Sequence, residues 1–161
     1  MKSIKKYINN SRKTNVYLLF GLPGSGKSTW CKTHHPELPV VSRDIIRAEL
    51  GYTKGVDEKA KLEYWQENEV TKKEHEYIRQ YLRQHQDFII DDTNLKMKFR
   101  KPLIKMLRDN GAFVIGVKFN TPLETCIQRR KDQIDKDIMT QIASAMNTLQ
   151  KTEVDKLIQI N

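Results

Sequence analysis

An α/β fold, with a central parallel sheet of about four to five strands flanked by helices, is expected of this 161-residue chain. Two observations carry that expectation. Short apolar runs alternate with longer segments of helical spacing, the pattern of a parallel sheet covered on both faces. The turns after Phe20, Val41 and Ile90 hold the most chemically capable residues, and in such sheets ligands bind at the carboxyl ends of the strands. The length suits a single domain, residues 1–161, able to bury a real core.

The first strand is the run NVYLLF at 15–20, which ends at Gly21 as a buried strand entering a tight turn should. A helix follows Lys27 and is stopped by Pro36. Val40 and Val41 form a second short strand, and DIIRAEL from Asp44 keeps helical spacing up to Gly51. From Asp57 to about Gln84 the chain is dense in Glu, Lys and Gln, with Leu62, Trp65, Val70, Tyr77, Ile78, Tyr81 and Leu82 at helical intervals. That spacing predicts one long helix, or two broken near Glu69, with the apolar stripe in the core. The third strand is DFII at 87–90, and a helix over Phe99–Asp109 places Pro102 in its first turn, where proline is tolerated. AFVIGVKF at 112–119 is the fourth strand. Thr121 as N-cap, Pro122 at the first helical position and Glu124 at the third open a helix through Arg130, and a last helix spans Asp137 to about Lys151.

The formal net charge is +9, which favours polyanionic partners such as nucleic acid. Much of the excess lies in residues 1–14, a basic extension before the first strand, and around Lys96–Arg108, where a solvated face is the simpler account. No apolar run approaches the roughly 20 residues of a membrane span, and MKSIKKYINNSRKTN lacks the apolar stretch of a secretory signal. A soluble, cytoplasmic protein with no membrane partner is therefore expected. Cys31 and Cys126 fall outside any CxxC or His-rich spacing, so neither a disulfide framework nor a zinc site is indicated, and metal chemistry should use hard oxygen ligands.

Four constellations carry chemistry. Gly21–Thr29, GLPGSGKST, satisfies GxxxxGK[ST] between a strand and a helix. Gly21, Gly24 and Gly26 permit turns that aim N–H groups at phosphate oxygens, and the helix N-terminus adds its positive end. Lys27 can reach the β- and γ-phosphates, and Ser28 offers its hydroxyl to Mg²⁺. The whole loop, with Leu22, Pro23, Ser25 and Thr29, is the candidate site for ATP or another nucleoside triphosphate. In SRDIIR at 42–47, Asp44 and Arg47 are three apart and share a helix face. The carboxylate could take the proton of an attacking hydroxyl and the guanidinium could grip an acceptor's phosphate; the plainer alternative is an acidic helix start paired with an exposed arginine. In FIIDDTN, Asp91 or Asp92 stands where a Walker-B carboxylate would, without the sequence choosing between them. Arg43 and Asn94, in the same two elements, join Arg47 and Asp92 as candidate acceptor contacts. Finally, QRRK at 128–131 puts Arg129 and Arg130 where a mobile lid, about 129–150, could bring cations onto the transferring phosphoryl group.

Taken together, GLPGSGKSTW, SRDIIR, IIDDTN and the arginine-bearing segment closed by IDKDIMTQIASAM resemble the kinase domain of the phage polynucleotide 5′-kinase family over roughly residues 15–150. The resemblance implies a P-loop kinase fold with a helical lid, and transfer of the γ-phosphoryl of ATP to the 5′-hydroxyl of DNA or RNA. Carried over by position, Lys27 and Ser28 hold phosphate and metal, Asp44 is the general base, and Arg47 contacts the acceptor's 3′-side phosphate. Asp92 matches the family's DTN carboxylate and Arg129 its first lid arginine. The family's next lid arginine falls at Gln133, leaving Arg130 or Lys131 to substitute. The competing functions are a P-loop kinase of a small molecule or of a modified or aminoacylated RNA, and a nucleotide-dependent binding or regulatory protein in which Asp44 is only a cap.

Overall fold

The computed structural model describes residues 12–52 and 62–161. Residues 57–61 of the expected long helix, and most of the basic extension, lie outside these residues; the helix itself starts later than expected, at Tyr64, where Glu63 caps it and Gln66 closes a capping box. The described elements run β1 (Thr14–Phe20), α1 (Lys27–His34), β2 (Val40–Val41), α2 (Arg43–Glu49), α3 (Tyr64–Arg83), β3 (Phe88–Ile90), α4 (Met97–Asp109), β4 (Ala112–Phe119), α5 (Leu123–Arg130), α6 (Lys136–Ser144) and β5 (Lys156–Ile160). The five strands form one parallel sheet in the order β2-β3-β1-β4-β5. The strand order reverses about β1, so the loop leaving β1 opens into the crevice where α/β sheets bind ligands.

The central strands are largely apolar because both of their faces are covered. Val16, Leu18, Phe20, Phe88, Ile90 and Val114 pack with Ile46 of α2, Val70 and Ile78 of α3, Ile104 and Leu107 of α4, Cys126 of α5 and Met139 of α6. The alternate residues Leu19, Ile89, Ile115, Val117 and Phe119 pack against Trp30 and Cys31 of α1. Each such side chain contributes about 1.5–3 kcal/mol by leaving water. The long amphipathic segment forms one helix rather than two, and its predicted core stripe holds Val70, Ile78 and Leu82, all buried. Trp65, expected in that stripe, is the second residue of α3 and 58% exposed, with its ring edge-on to Tyr52. Both cysteines are buried free thiols, and burial pushes Cys31 up to about 12.

Three further boundaries differ from expectation for identifiable reasons. Helix α4 begins at Met97, so Pro102 is its sixth residue rather than in its first turn; the i→i−4 bond that proline cannot make would go to Lys98, on the exposed face of the helix where water reaches it. Pro122, not Thr121, caps α5, because the Thr121 hydroxyl instead donates to the Ser25 carbonyl at 2.8 Å. Helix α6 stops at Ser144 instead of Lys151. Beyond it, Asn147 N–H donates to the Leu95 carbonyl at 2.8 Å, and Leu149 and Val154 pack onto β4. Gly116 makes room for them: a Cβ there would lie 2.9 Å from Leu149 and 3.2 Å from Val154. The fifth strand, KLIQI, is an edge strand whose apolar residues are broken by Lys156 and Gln159 and give no run of the kind that marked the other four.

Candidate active site

The loop between β1 and α1 turns through Gly24 (φ 81) and Gly26 (φ 100), left-handed conformations open to glycine without strain. At Gly24 the space is also closed, since a Cβ would meet Arg130 Cγ at 2.9 Å and the Cys126 carbonyl at 3.2 Å. Gly26 caps α1, which has no side-chain cap and no acidic residue in its first turn. The helix therefore presents an unneutralised positive end to the loop's interior. The Lys27 ammonium is buried and donates to the carbonyls of Gly21 (3.0 Å) and Leu22 (2.9 Å) and to Ser25 Oγ (3.4 Å). Burial pushes its pKa down, with the Asp91 charge acting the other way. A concave row of donors with a desolvated cation fits a polyphosphate.

The parallel pairing of β1 with β3 brings the end of β3 beside this loop. Ser28 Oγ donates to Asp91 Oδ2 at 2.8 Å, a hydroxyl–carboxylate pair of hard oxygens suited to Mg²⁺. Asp92, the next residue, points away, as consecutive residues at a strand end do. Its Oδ1 accepts from the Arg43 backbone N–H at 2.9 Å, and its Oδ2 is buried without a partner. Burial, and then the Glu74 charge, push this carboxyl well above the usual range. Asp91 thus adjoins the phosphate loop while Asp92 braces the first turn of α2. Asn94, at φ 50, donates from its amide to the carbonyls of Leu19 (2.7 Å) and Asp92 (3.3 Å), tying the turn to β1.

Across the cleft, Asp44 is 72% exposed and accepts from Arg47 Nη1 at 2.8 Å. Arg47 also grips Glu67 of α3 with Nε (3.0 Å) and Nη2 (3.1 Å). Arg43 reaches Glu67 Oε2 and Glu74 Oε2, each at 2.8 Å, and Thr71 Oγ1 at 3.0 Å. Burial raises the proton affinity of Glu67, but the hydrogen bonds from Arg47 and Arg43 outweigh it and hold the carboxyl below its ordinary value. Glu67 and Glu74 were not singled out from sequence. Their signal was there, since Glu67, Thr71 and Glu74 continue the helical stripe that ends in buried Ile78.

Arg129 Nη1 donates to the Gly24 carbonyl at 3.1 Å, and Arg130 Nη1 hydrogen-bonds Gln133 Oε1. Arg130 Nε is buried without a partner. Arg129, Arg130 and Gln133 line the cleft, whereas Lys131 does not. One cleft of about 940 Å³ therefore joins Gly24–Thr29, Asp91, Asp44, Arg47 and the two arginines. A second cavity of about 1080 Å³, between α3, α4 and α6, shares Pro23, Arg43, Asp92 and Thr93 with it and carries Lys96, Lys98 and the exposed Tyr64 and Phe99.

The model of a family described as AAA domain matches residues 16–152. No curated protein sequence matches significantly. Among solved structures, a chain of the Pnkp1/Rnl/Hen1 RNA repair complex superposes with a TM-score of 0.70 at 22% identity over 89% of this chain, which spans 48% of the length of that protein. A provisionally assigned kinase from Chloroflexus aurantiacus J-10-fl gives 0.72 at 13% identity, covering 92% of this chain and 88% of its own. The APS kinase CysC of Mycobacterium tuberculosis, in complex with AMPPNP and APS, gives 0.56 at 17% identity over 92% and 90%. What is common to all three is the fold, a five-stranded parallel sheet flanked by helices as in P-loop kinases.

Proposed function

This chain belongs to the AAA domain family, and on that footing we propose that it is an ATP-dependent polynucleotide 5′-hydroxyl kinase. The observation that carries the reading is the shared cleft, where a phosphate-type loop faces Asp44 and Arg47. In this reading the loop amides and Lys27 hold the β- and γ-phosphates of ATP. Ser28, with Asp91 behind it, holds Mg²⁺, which when bound neutralises charge on the β- and γ-oxygens. Asp44 accepts the proton of the acceptor's 5′-hydroxyl as that oxygen bonds to the γ-phosphorus and the bond to the β–γ bridging oxygen breaks, leaving ADP. Arg47 grips the phosphate on the acceptor's 3′ side, and Arg129, with Arg130, closes on the transferred group as part of a lid over about 129–150. Asp92 serves by bracing α2 under Asp44, and Arg43 and Asn94 by position rather than by acceptor contact.

The formal charge of +9 supports a polyanionic acceptor. The second cavity offers lysines and exposed aromatic rings next to the cleft, the combination that tracks backbone phosphates and stacks bases. The test is incubation with labelled ATP, Mg²⁺ and 5′-hydroxyl oligonucleotides of DNA and of RNA. Label at the 5′ end, falling as salt rises, is the expected result. Label on neither strand would sink the polynucleotide reading in favour of a small acceptor or a modified RNA. Replacing Asp91 by Asn removes the charge behind Ser28, and the Mg²⁺ concentration for half-maximal turnover is expected to rise about 10–100-fold. An unchanged Mg²⁺ titration would remove Asp91 from the metal site.

A further inference from the structure

On the α3 side of the cleft both Arg43 and Arg47 converge on Glu67, a residue that no motif marks. Glu67 receives Arg47 in a two-bond fork, at 3.0 and 3.1 Å, and receives Arg43 at 2.8 Å. A carboxylate held in parallel by Nε and Nη2 occupies the geometry that a phosphate takes on arginine. The third bond of Arg47 goes to Asp44. In this conformation the guanidinium assigned to the acceptor's phosphate has each of its three nitrogens hydrogen-bonded to a carboxylate of the chain itself.

We infer that Glu67 is an internal competitor that the acceptor's phosphate must displace from Arg47, so that acceptor binding and release of Asp44 go together. The inference rests on the acceptor role proposed for Arg47 above. Displacement leaves no orphaned charge, because Glu67 keeps Arg43, and Arg43 keeps Glu74 at 2.8 Å. Glu67 is 36% exposed, so water can also take over the oxygens that Arg47 gives up. As Arg47 turns to the incoming phosphate it releases Asp44, whose carboxylate becomes free to accept the hydroxyl proton. Acceptor binding and activation of the base are thereby linked through one guanidinium. The cost of displacing Glu67 falls on every ligand of Arg47; free phosphate, which brings no further contacts, is left weakly bound, whereas a phosphate embedded in a polynucleotide offsets that cost with its other contacts.

The experiment compares the wild type with Glu67→Gln, which keeps the shape and an acceptor oxygen for Arg43 but removes the charge. Inorganic phosphate is titrated while the Nε–H resonance of Arg47 is followed by NMR. Half-saturation is expected to fall about fivefold in the variant, the upper end of what a partly exposed ion pair contributes. In steady-state assays the KM for a 5′-hydroxyl oligonucleotide should fall in the same proportion, with the KM for ATP unchanged. Glu67→Asp, which retains charge but cannot reach both arginines, should move in the same direction by less. Weaker phosphate binding in both variants, or a lower kcat with unaltered KM, would make Glu67 a positioning residue and overturn the inference. The phosphate titration needs no catalysis, so a wild-type protein that labels no oligonucleotide would refute the kinase reading while leaving the competition separately measurable.

Discussion

Asp44→Asn should lower kcat for acceptor phosphorylation by about 10²–10⁴-fold, the usual contribution of a positioned general base, while ATP binding survives. The substitution is nearly isosteric, and the native carboxylate is exposed with a single bond to Arg47, so the fold has little reason to change. An asparagine amide can still meet the guanidinium through its oxygen but cannot take a proton. The measurement is a pair of titrations, turnover of a 5′-hydroxyl oligonucleotide and binding of a non-hydrolysable ATP analogue. Turnover within a factor of two of wild type would remove Asp44 from the chemistry and leave it as the acidic residue of a helix start. Loss of nucleotide binding together with turnover would point to a structural role. The same variant separates an enzyme from a nucleotide-dependent regulator, in which hydrolysis without acceptor would proceed unaffected.

Arg100→Met is expected to destabilise the protein by about 3–5 kcal/mol, the effect of breaking a buried pair by removing one partner. The Arg100 side chain is fully buried. Its Nε and Nη2 donate to the two oxygens of Glu153 at 3.0 and 3.1 Å, and Nη1 donates to the carbonyls of Asn94 (2.7 Å) and Asn147 (2.9 Å). The guanidinium also lies 5.3 Å from the centre of the Phe20 ring. One side chain thus joins the end of β1, the turn after β3 that carries Asp92 and Asn94, and the stretch after α6. Methionine fills the volume but leaves Glu153 and two carbonyls without their donor. The urea midpoint should drop accordingly, and a midpoint equal to wild type would refute the assignment. The pH dependence supplies a second check. Burial would raise the Glu153 carboxyl, but Arg100 and the Gln150 N–H outweigh it and hold the carboxyl below its ordinary 4.5. A depressed carboxyl contributes stability at pH above 4.5 that is lost as the pH falls through the lower, folded-state value. In Arg100→Met this acid-side loss should shrink, because the principal cation that favours the charged form is gone.

Arg100 also marks a limit of sequence reading. It lies within Lys96–Arg108, a basic stretch that composition assigns to a solvated face. On a helix, however, it shares a side with Ile104 and Leu107, both buried, and only the packing of the turn after α6 turns that position inward. Asp91 and Asp92 pose the same problem at closer range. Either could serve as the strand-end carboxylate, and the choice follows from which way each points once β3 lies between β1 and β2. The carboxylate partners of Arg43 and Arg47 come from α3, 20 to 31 residues further along, where charges on a long helix resemble any solvated face.

Periodicity and local backbone chemistry reach as far as the chain's nearest neighbours. They suffice for the α/β class, for four of the five strands, for the loop Gly21–Thr29 with its glycines, and for the pairing of Asp44 with Arg47 one turn apart, because each depends on residues within a few positions of one another. The strand order, the fifth strand, the end of α6 at Ser144, the division of labour between Asp91 and Asp92, and the hold of Glu67 on two arginines depend on groups that meet across the sheet or between helices. Those meetings follow from burial of the whole apolar surface at once, a constraint that acts on the folded chain rather than within any one segment of its sequence.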